Sequence, residues 1–265
     1  MSSTTQQRAD AEKLINRNPH RDFKAVEASR SPWDASRSWN LTQTISPSWK
    51  LGSGANDNGE SLKIPHVEID PYEEGRPAVY NYKLLISSII PRPIGFVSTR
   101  SADGKFTNLA PFSYFNMINH DPPLFTLGYA GGLENAKDSL KNLKETGECT
   151  INIISEHFVE AANSTSINAP YGESEWAFSG LTPAPCTTVK TSRVLESHFS
   201  VEGKLESLKE FESRATPGKK EGRFGNYRRE PRFWDGTEIP RPDYDTAVGK
   251  DEEGKKLVKP KLDGQ

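Results

Sequence analysis

Residues 91–123, PRPIGFVSTRSADGKFTNLAPFSYFNMINHDPP, constrain the fold of this chain more than any other stretch. Two apolar runs flank a polar turn at Ser101 to Gly104. Asp103-Gly104 is a hairpin signal, because glycine reaches the left-handed backbone that a tight turn demands. The pattern predicts one strand over 93–100, a return strand over 106–116 and, beyond the break at Pro122-Pro123, a third over 124–129. LLISSII at 84–90 reads as buried chain leading into the first strand.

Downstream, the periodicity changes. A helix fits 137–146: Asn135 or Asp138 can cap its start, Leu140 and Leu143 share a face, and Gly147 suits its end. ECTINIIS at 148–155 alternates like a strand, with Cys149, Ile151 and Ile153 on one face. Ser155 can cap a second helix reaching about 166, with Phe158, Val159 and Ala162 turned inward. Alternation returns over 198–205. Short strands with two inserted helices predict a mainly antiparallel barrel, and the long βαβ alternation of a doubly wound sheet is absent.

Composition sets the domain plan. Only 34% of the 265 residues are hydrophobic, too few to order the whole chain against its conformational entropy. The reading is a polar, partly disordered arm over 1–75, a core domain over 76–210, and a charged, poorly packed tail over 211–265. The arm carries Phe23, Trp33, Trp39 and Trp49, which plain disorder rarely does. In the tail, basic and acidic residues nearly cancel, which describes a solvated segment and not a nucleic-acid arm. A net charge of −2 argues against a nucleic-acid protein, which usually shows a basic face. The sequence has no run of about 20 apolar residues, the length that spans a bilayer. MSSTTQQRADAEKL lacks the apolar core of a signal peptide, and two cysteines suit a reducing compartment, so the expected location is cytoplasmic. One pair, Cys149 and Cys186, leaves a disulfide open, although Cys149 falls in an apolar strand pattern.

Several chemistries lack their motifs. The five histidines are scattered without ligand spacing, so no metal site is expected. GxSxG, GxGxxG and a phosphate-binding loop do not occur. A site for a flat ligand remains. Ser98, Thr99 and Asn108 supply uncharged polar groups from two adjacent strands, and Ala110-Pro111 allows close backbone approach. Ser113, Tyr114 and Phe115 continue the wall. Lys137, Asp138 and Ser139 open the first helix, where free N–H groups, a hydroxyl and a lysine suit a phosphate. That helix start is read as facing solvent.

The order PRPIGFVST, DG, TNLAPFSYF, DPP, KDSLKN and ETGE resembles the flavin reductase-like family, which has an FMN-binding split β-barrel fold. NAPYGESEWAFSGLTPAP and VKTSRVLES resemble the same family's later segment, so the likeness covers about 78–208. RNPHRDFKAVEASRSPWD also resembles the leader of larger, fungal-like members. The resemblance implies FMN as cofactor, with NADH or NADPH as co-substrate and hydride transfer to flavin N5. It implies a homodimer with FMN near the interface. Ser98, Thr99 and Arg100 would meet the ring or phosphate, and Asn108, Leu109 and Ala110 would line the ring. Ser113 would sit beside the ribityl chain, and Lys137, Asp138 and Ser139 would hold the phosphate. No catalytic residue is singled out.

After SHFSVEGKLESLKEF the chain departs from the family, as though a block of strands had been skipped between about 211 and 222. An NAD(P)H-dependent flavin reductase is the leading reading. A non-catalytic or degenerate FMN-binding module is the alternative, and an interaction protein working through its long arms is the third.

Overall fold

The computed structural model describes residues 28–38, 41–130, 136–167, 169–170 and 172–214, and the backbone of 220–229. Its described residues divide between Asp70 and Pro71 into two units. The described part of the first, 28–70, is turns and one 3-10 helix, Glu60–Lys63. The Asp57 carboxylate accepts from the N–H groups of Gly59 (3.1 Å) and Ser61 (2.8 Å) at that helix start. Of the arm's aromatics, Trp33 is exposed, and the Trp49 indole N–H donates to the Gly54 carbonyl. Phe23 and Trp39 lie outside the described residues.

The second unit is a sheet with helices. Its strands are β1 (Gly95–Arg100), β2 (Thr107–Phe112), β3 (Phe115–His120), β4 (Pro123–Ala130), β5 (Glu148–Asn152), β8 (Ser200–Glu212) and β9 (Lys220–Arg229). A separate pair, β6 (Pro183–Ala184) and β7 (Arg193–Val194), lies beside it. Every pairing is antiparallel, and the main sheet runs β2-β1-β5-β8-β9-β4-β3. The β1–β2 hairpin turns where expected. Gly104 takes φ 73°, Asp103 accepts from the Ser101 hydroxyl at 2.7 Å, and it accepts from the Lys105 N–H at 3.1 Å.

The expected single strand over 106–116 is two strands. β2 ends at Phe112 and β3 begins at Phe115, yet these strands stand at opposite ends of the sheet order. A flat sheet would separate them by six strand spacings, about 29 Å, whereas three peptide links reach about 11 Å. The sheet must therefore curl until its ends meet, which makes a barrel that is split where β2 and β3 do not pair. Phe112 and Tyr129 meet edge to face across that junction at 5.0 Å. A Cβ on Gly95 would come within 2.9 Å of the Phe115 ring, so glycine is what lets β1 pass β3.

The barrel core holds Val97, Phe115, Leu127, Tyr129, Cys149, Ile151 and Val201. Leu140 and Leu143 of α2 (Asp138–Thr146) join it, as the shared face predicts. Gly147 ends α2 with φ 69°. Its N-cap is Lys137, with no side-chain cap bond; Asp138 falls in the first turn and Asn135 lies outside the described residues. A second core packs Phe96 and Leu109 against Phe158, Ala162, Trp176, Leu181 and Val194. These come in part from α3 (Val159–Ser164) and α4 (Glu175–Ser179). β1 is thus buried on both faces, Val97 inward and Phe96 outward. Val159, expected inward, and Ile153, expected on the face of Cys149 and Ile151, are exposed, because the strand ends at Asn152 and a 3-10 turn at Glu156–Phe158 resets the helical phase.

Two sequence expectations change. Residues 84–90 are not buried chain: α1 (Ala78–Ser88) occupies most of them, with Leu85, Ile89 and Ile90 exposed. An isoleucine-rich run before Pro91 reads as buried chain by composition, but the Arg92 guanidinium donates to the Ile86 and Ile89 carbonyls (2.7 and 2.6 Å) and closes a helix end there. The sheet also runs past the boundary drawn at 210. β8 continues to Glu212, and β9 is paired on both sides, to β8 and β4. Glycine and basic residues in 220–229 hide that strand in the sequence, since backbone pairing needs no apolar side chain. Both cysteines are free thiols, Cys149 buried and Cys186 half-buried.

Candidate functional site

Thr99 of β1 and Asn108 of β2 lie directly opposite each other and are buried. The first turn of α2 lays Ser139 over them, and α4 brings in Glu175 from the other side. The Ser139 hydroxyl donates to Asn108 Oδ1 at 2.5 Å, and the Thr99 hydroxyl reaches the same oxygen at 3.5 Å. Asn108 Nδ2 donates to Glu175 Oε2 at 2.9 Å, and that oxygen also accepts the Leu109 N–H at 3.2 Å. Asn142, one turn beyond Ser139, donates from Nδ2 to Thr99 Oγ1 at 3.1 Å. Its own Oδ1 is buried without a partner. Five polar side chains are thereby held at 0–5% exposure, where hydrogen bonding is what makes burial tolerable.

Above this network lies a cleft of about 360 Å³. Asn108, Ser139 and Glu175 form its polar floor, Ala110, Pro111 and Phe112 one wall, and Thr165, Ser166 and Ile167 part of another. Lys137 stands exposed at its rim, where the N–H groups of the α2 first turn have no side-chain cap. Burial raises the Glu175 carboxyl above the usual range; N–H donors at its own residue and Leu109 oppose the shift, and Asp138 adds to it. Burial likewise raises Asp138, against the pull of Lys141 and Lys137.

A neighbouring cleft of about 270 Å³ shares Pro111, Phe112 and Lys137 with the first. Ser113, Tyr114, Tyr82 and Arg92 line it. Gly128 faces it too: a Cβ there would meet Tyr114 Cβ at 2.8 Å, and the Gly128 N–H donates to the Tyr114 carbonyl at 2.7 Å.

The structure brings together Thr99, Asn108, Ala110, Lys137, Asp138 and Ser139, and sets Ser113 next door. Ser98 and Leu109 pair with each other on the opposite face of the hairpin, and Leu109 packs in the second core. Arg100 folds over Gly104 and lines a separate polar cleft with Glu145, Glu148 and Lys190. Period-two alternation accounts for this division, since neighbours along a strand face opposite ways. The sequence reading missed Glu175, 67 residues from its partner Asn108. It also missed Asn142, whose i,i+3 spacing from Ser139 on an otherwise apolar face was the available signal.

The donor set suits a flat, polar-edged ring that carries an anion. The wall is apolar, the floor offers an amide and hydroxyl groups, and a cation stands beside an open helix start. Among the described residues no group of three potential metal ligands occurs.

Residues 87–216 match the family model described as a flavin reductase like domain. The protein BH2278 of Halalkalibacterium halodurans is 39% identical over 129 residues, 48% of this chain and 61% of that protein. The chain therefore spans under two thirds of that relative's length. The solved structure of nitrilotriacetate monooxygenase component B from Bacillus cereus is 32% identical with a TM-score of 0.56, over 63% of this chain and 80% of that one. The 2-nitrobenzoate 2-nitroreductase NbaA of Pseudomonas fluorescens is 26% identical with a TM-score of 0.52, over 62% and 74%.

Proposed function

Because this chain belongs to the flavin reductase like family, we propose that it binds FMN in the cleft above Asn108 and takes reducing equivalents from NADH or NADPH. The observation that carries the reading is the convergence of Asn108, Ser139 and the Lys137 rim around one cleft walled by Ala110 and Pro111. FMN, when bound, supplies the hydride-accepting centre at N5. The chain supplies position. Lys137 and the α2 N–H groups hold the phosphate, with Asp138 flanking them. The Ala110–Phe112 wall supports the ring, Ser113 meets the ribityl chain, and Thr99 and Asn142 brace the floor from beneath.

The proposal includes a homodimer. Its support is the exposed apolar side chains at the end of α1, just after it and on β3, where Leu85, Ile89, Ile90, Met117 and Ile118 are each more than half exposed. Exposed apolar side chains that gather into a patch mark an interaction surface. The cytoplasm is the proposed location, supported by two free thiols. The fungal-type leader belongs to the same reading, as does the block of strands skipped between about 211 and 222.

The test is purification followed by flavin quantification and an NAD(P)H oxidation assay. Near-stoichiometric FMN with nicotinamide oxidation is the expected result. FMN bound with no oxidation would mark a non-catalytic flavin-holding module. No flavin bound at micromolar concentration would overturn the reading.

A further inference from the structure

We propose that Glu175 is the positioning residue of the cleft: it fixes which end of the Asn108 amide meets the ligand. The inference rests on the FMN reading for its ligand, but its geometry is independent of it.

Asn108 is held between two side chains of different character. Ser139 presents a hydroxyl, which either donates or accepts, so it would tolerate the amide in both orientations. The Glu175 carboxylate is an acceptor only when ionised. Its Oε2 is anchored by the Leu109 N–H at 3.2 Å, a group of an edge strand that points away from β1. That anchored oxygen accepts Asn108 Nδ2 at 2.9 Å and so forces Oδ1 toward Ser139. Protonation leaves this arrangement standing, because a carboxyl that carries its proton on Oε1 still accepts at Oε2. The charged groups facing Glu175 in the cleft are Asp138 and Lys137 of the α2 start; β2 contributes none.

The consequence concerns ligand chemistry. With Oδ1 occupied by Ser139, the amide offers the cleft its second N–H and no acceptor. The floor therefore reads a hydrogen-bond acceptor on the ring, such as a carbonyl oxygen or an unprotonated ring nitrogen. Without Glu175 the amide would be free to turn and offer its oxygen instead.

The experiment compares the full chain with Glu175→Gln, Glu175→Ala and Glu175→Asp. FMN titration gives affinity, and the Asn108 side-chain amide signals in ligand-free protein report its orientation. Glutamine keeps one oxygen able to accept both N–H groups, so Glu175→Gln should bind FMN within about threefold of wild type and keep the Asn108 signals. Alanine removes the acceptor, and aspartate withdraws it by one methylene. Both should weaken FMN binding about tenfold, the equivalent of one lost hydrogen bond to a charged group. Both should also shift the Asn108 amide signals and speed their exchange with solvent. If Glu175→Ala does not fold, the aspartate variant carries the comparison. Unchanged affinity and unchanged Asn108 signals in the aspartate variant would overturn the proposal. So would equal losses in the glutamine and aspartate variants. Failure of wild type to bind FMN would overturn the function instead, and the ligand-free Asn108 signals would still test the role of Glu175.

Discussion

Ser139 and Lys137 stand two residues apart at one helix start, yet the structure gives them opposite roles, and substituting each to alanine should separate stability from binding. Lys137 is exposed and belongs to neither core cluster, so Lys137→Ala should leave stability within about 0.5 kcal/mol of wild type. Ser139 is 1% exposed, and its hydroxyl is the short donor to Asn108 Oδ1. The sequence reading of a solvent-facing helix start fails at this residue. Ser139→Ala leaves Oδ1 with only the 3.5 Å approach of Thr99, too long for a strong bond. Leaving a buried acceptor short of its partner costs about 1–3 kcal/mol. For a domain of this size that is roughly a 2–10 °C fall in melting temperature. Flavin binding should divide the other way. Loss of the Lys137 charge removes a charge-assisted contact of about 1.5–3 kcal/mol, a tenfold or greater loss of FMN affinity. Chemical denaturation of ligand-free protein and FMN titration of the same samples read the two effects. Equal stability of Ser139→Ala and wild type would refute the buried network. Unchanged FMN affinity in Lys137→Ala would place the phosphate elsewhere.

Further expectations follow from particular contacts. Gly95→Ala should destabilise the barrel by about 1–3 kcal/mol, because its Cβ would press on the Phe115 ring at 2.9 Å and Leu127 at 3.4 Å; a melting temperature unchanged from wild type would contradict the closed junction. The Glu175 carboxyl keeps its proton to a higher pH folded than unfolded, so its contribution to stability is full below its usual value of 4.5 and is lost as the pH rises through the folded one. The stability difference between wild type and Glu175→Gln should therefore fall with rising pH over that window, and a difference that grows would reverse the assignment. Burial pushes the Cys149 thiol far up, so in native protein a thiol reagent should modify Cys186 first and Cys149 only on unfolding; two equally fast thiols would show the barrel core to be open. Ile89→Glu with Ile118→Glu should convert the proposed homodimer to monomer in sedimentation, without loss of secondary structure.

Local pattern alone was enough to determine much of this protein. The Asp103-Gly104 turn, the strands on either side of it, the α2 span from its leucine spacing to Gly147, and the burial of Cys149 and Ile151 all follow from forces acting within a few residues. So does the presence of polar groups at Thr99, Asn108 and Ser139. The tertiary structure decided what those groups face. Strand alternation sent Ser98 and Leu109 away from the cleft, and the close approach of Arg100 to Gly104 turned the arginine toward a different one. Closure of the sheet split one expected strand at Ser113 and Tyr114, because only a curled sheet brings β2 and β3 within reach of two residues. β9 and Glu175 were invisible for the same reason. A strand of glycine and basic residues is held by backbone partners on β4 and β8, and a carboxylate is placed by a strand 67 residues earlier. Hydrogen bonds between distant segments leave no period in the sequence, since their geometry exists only once the chain has closed on itself.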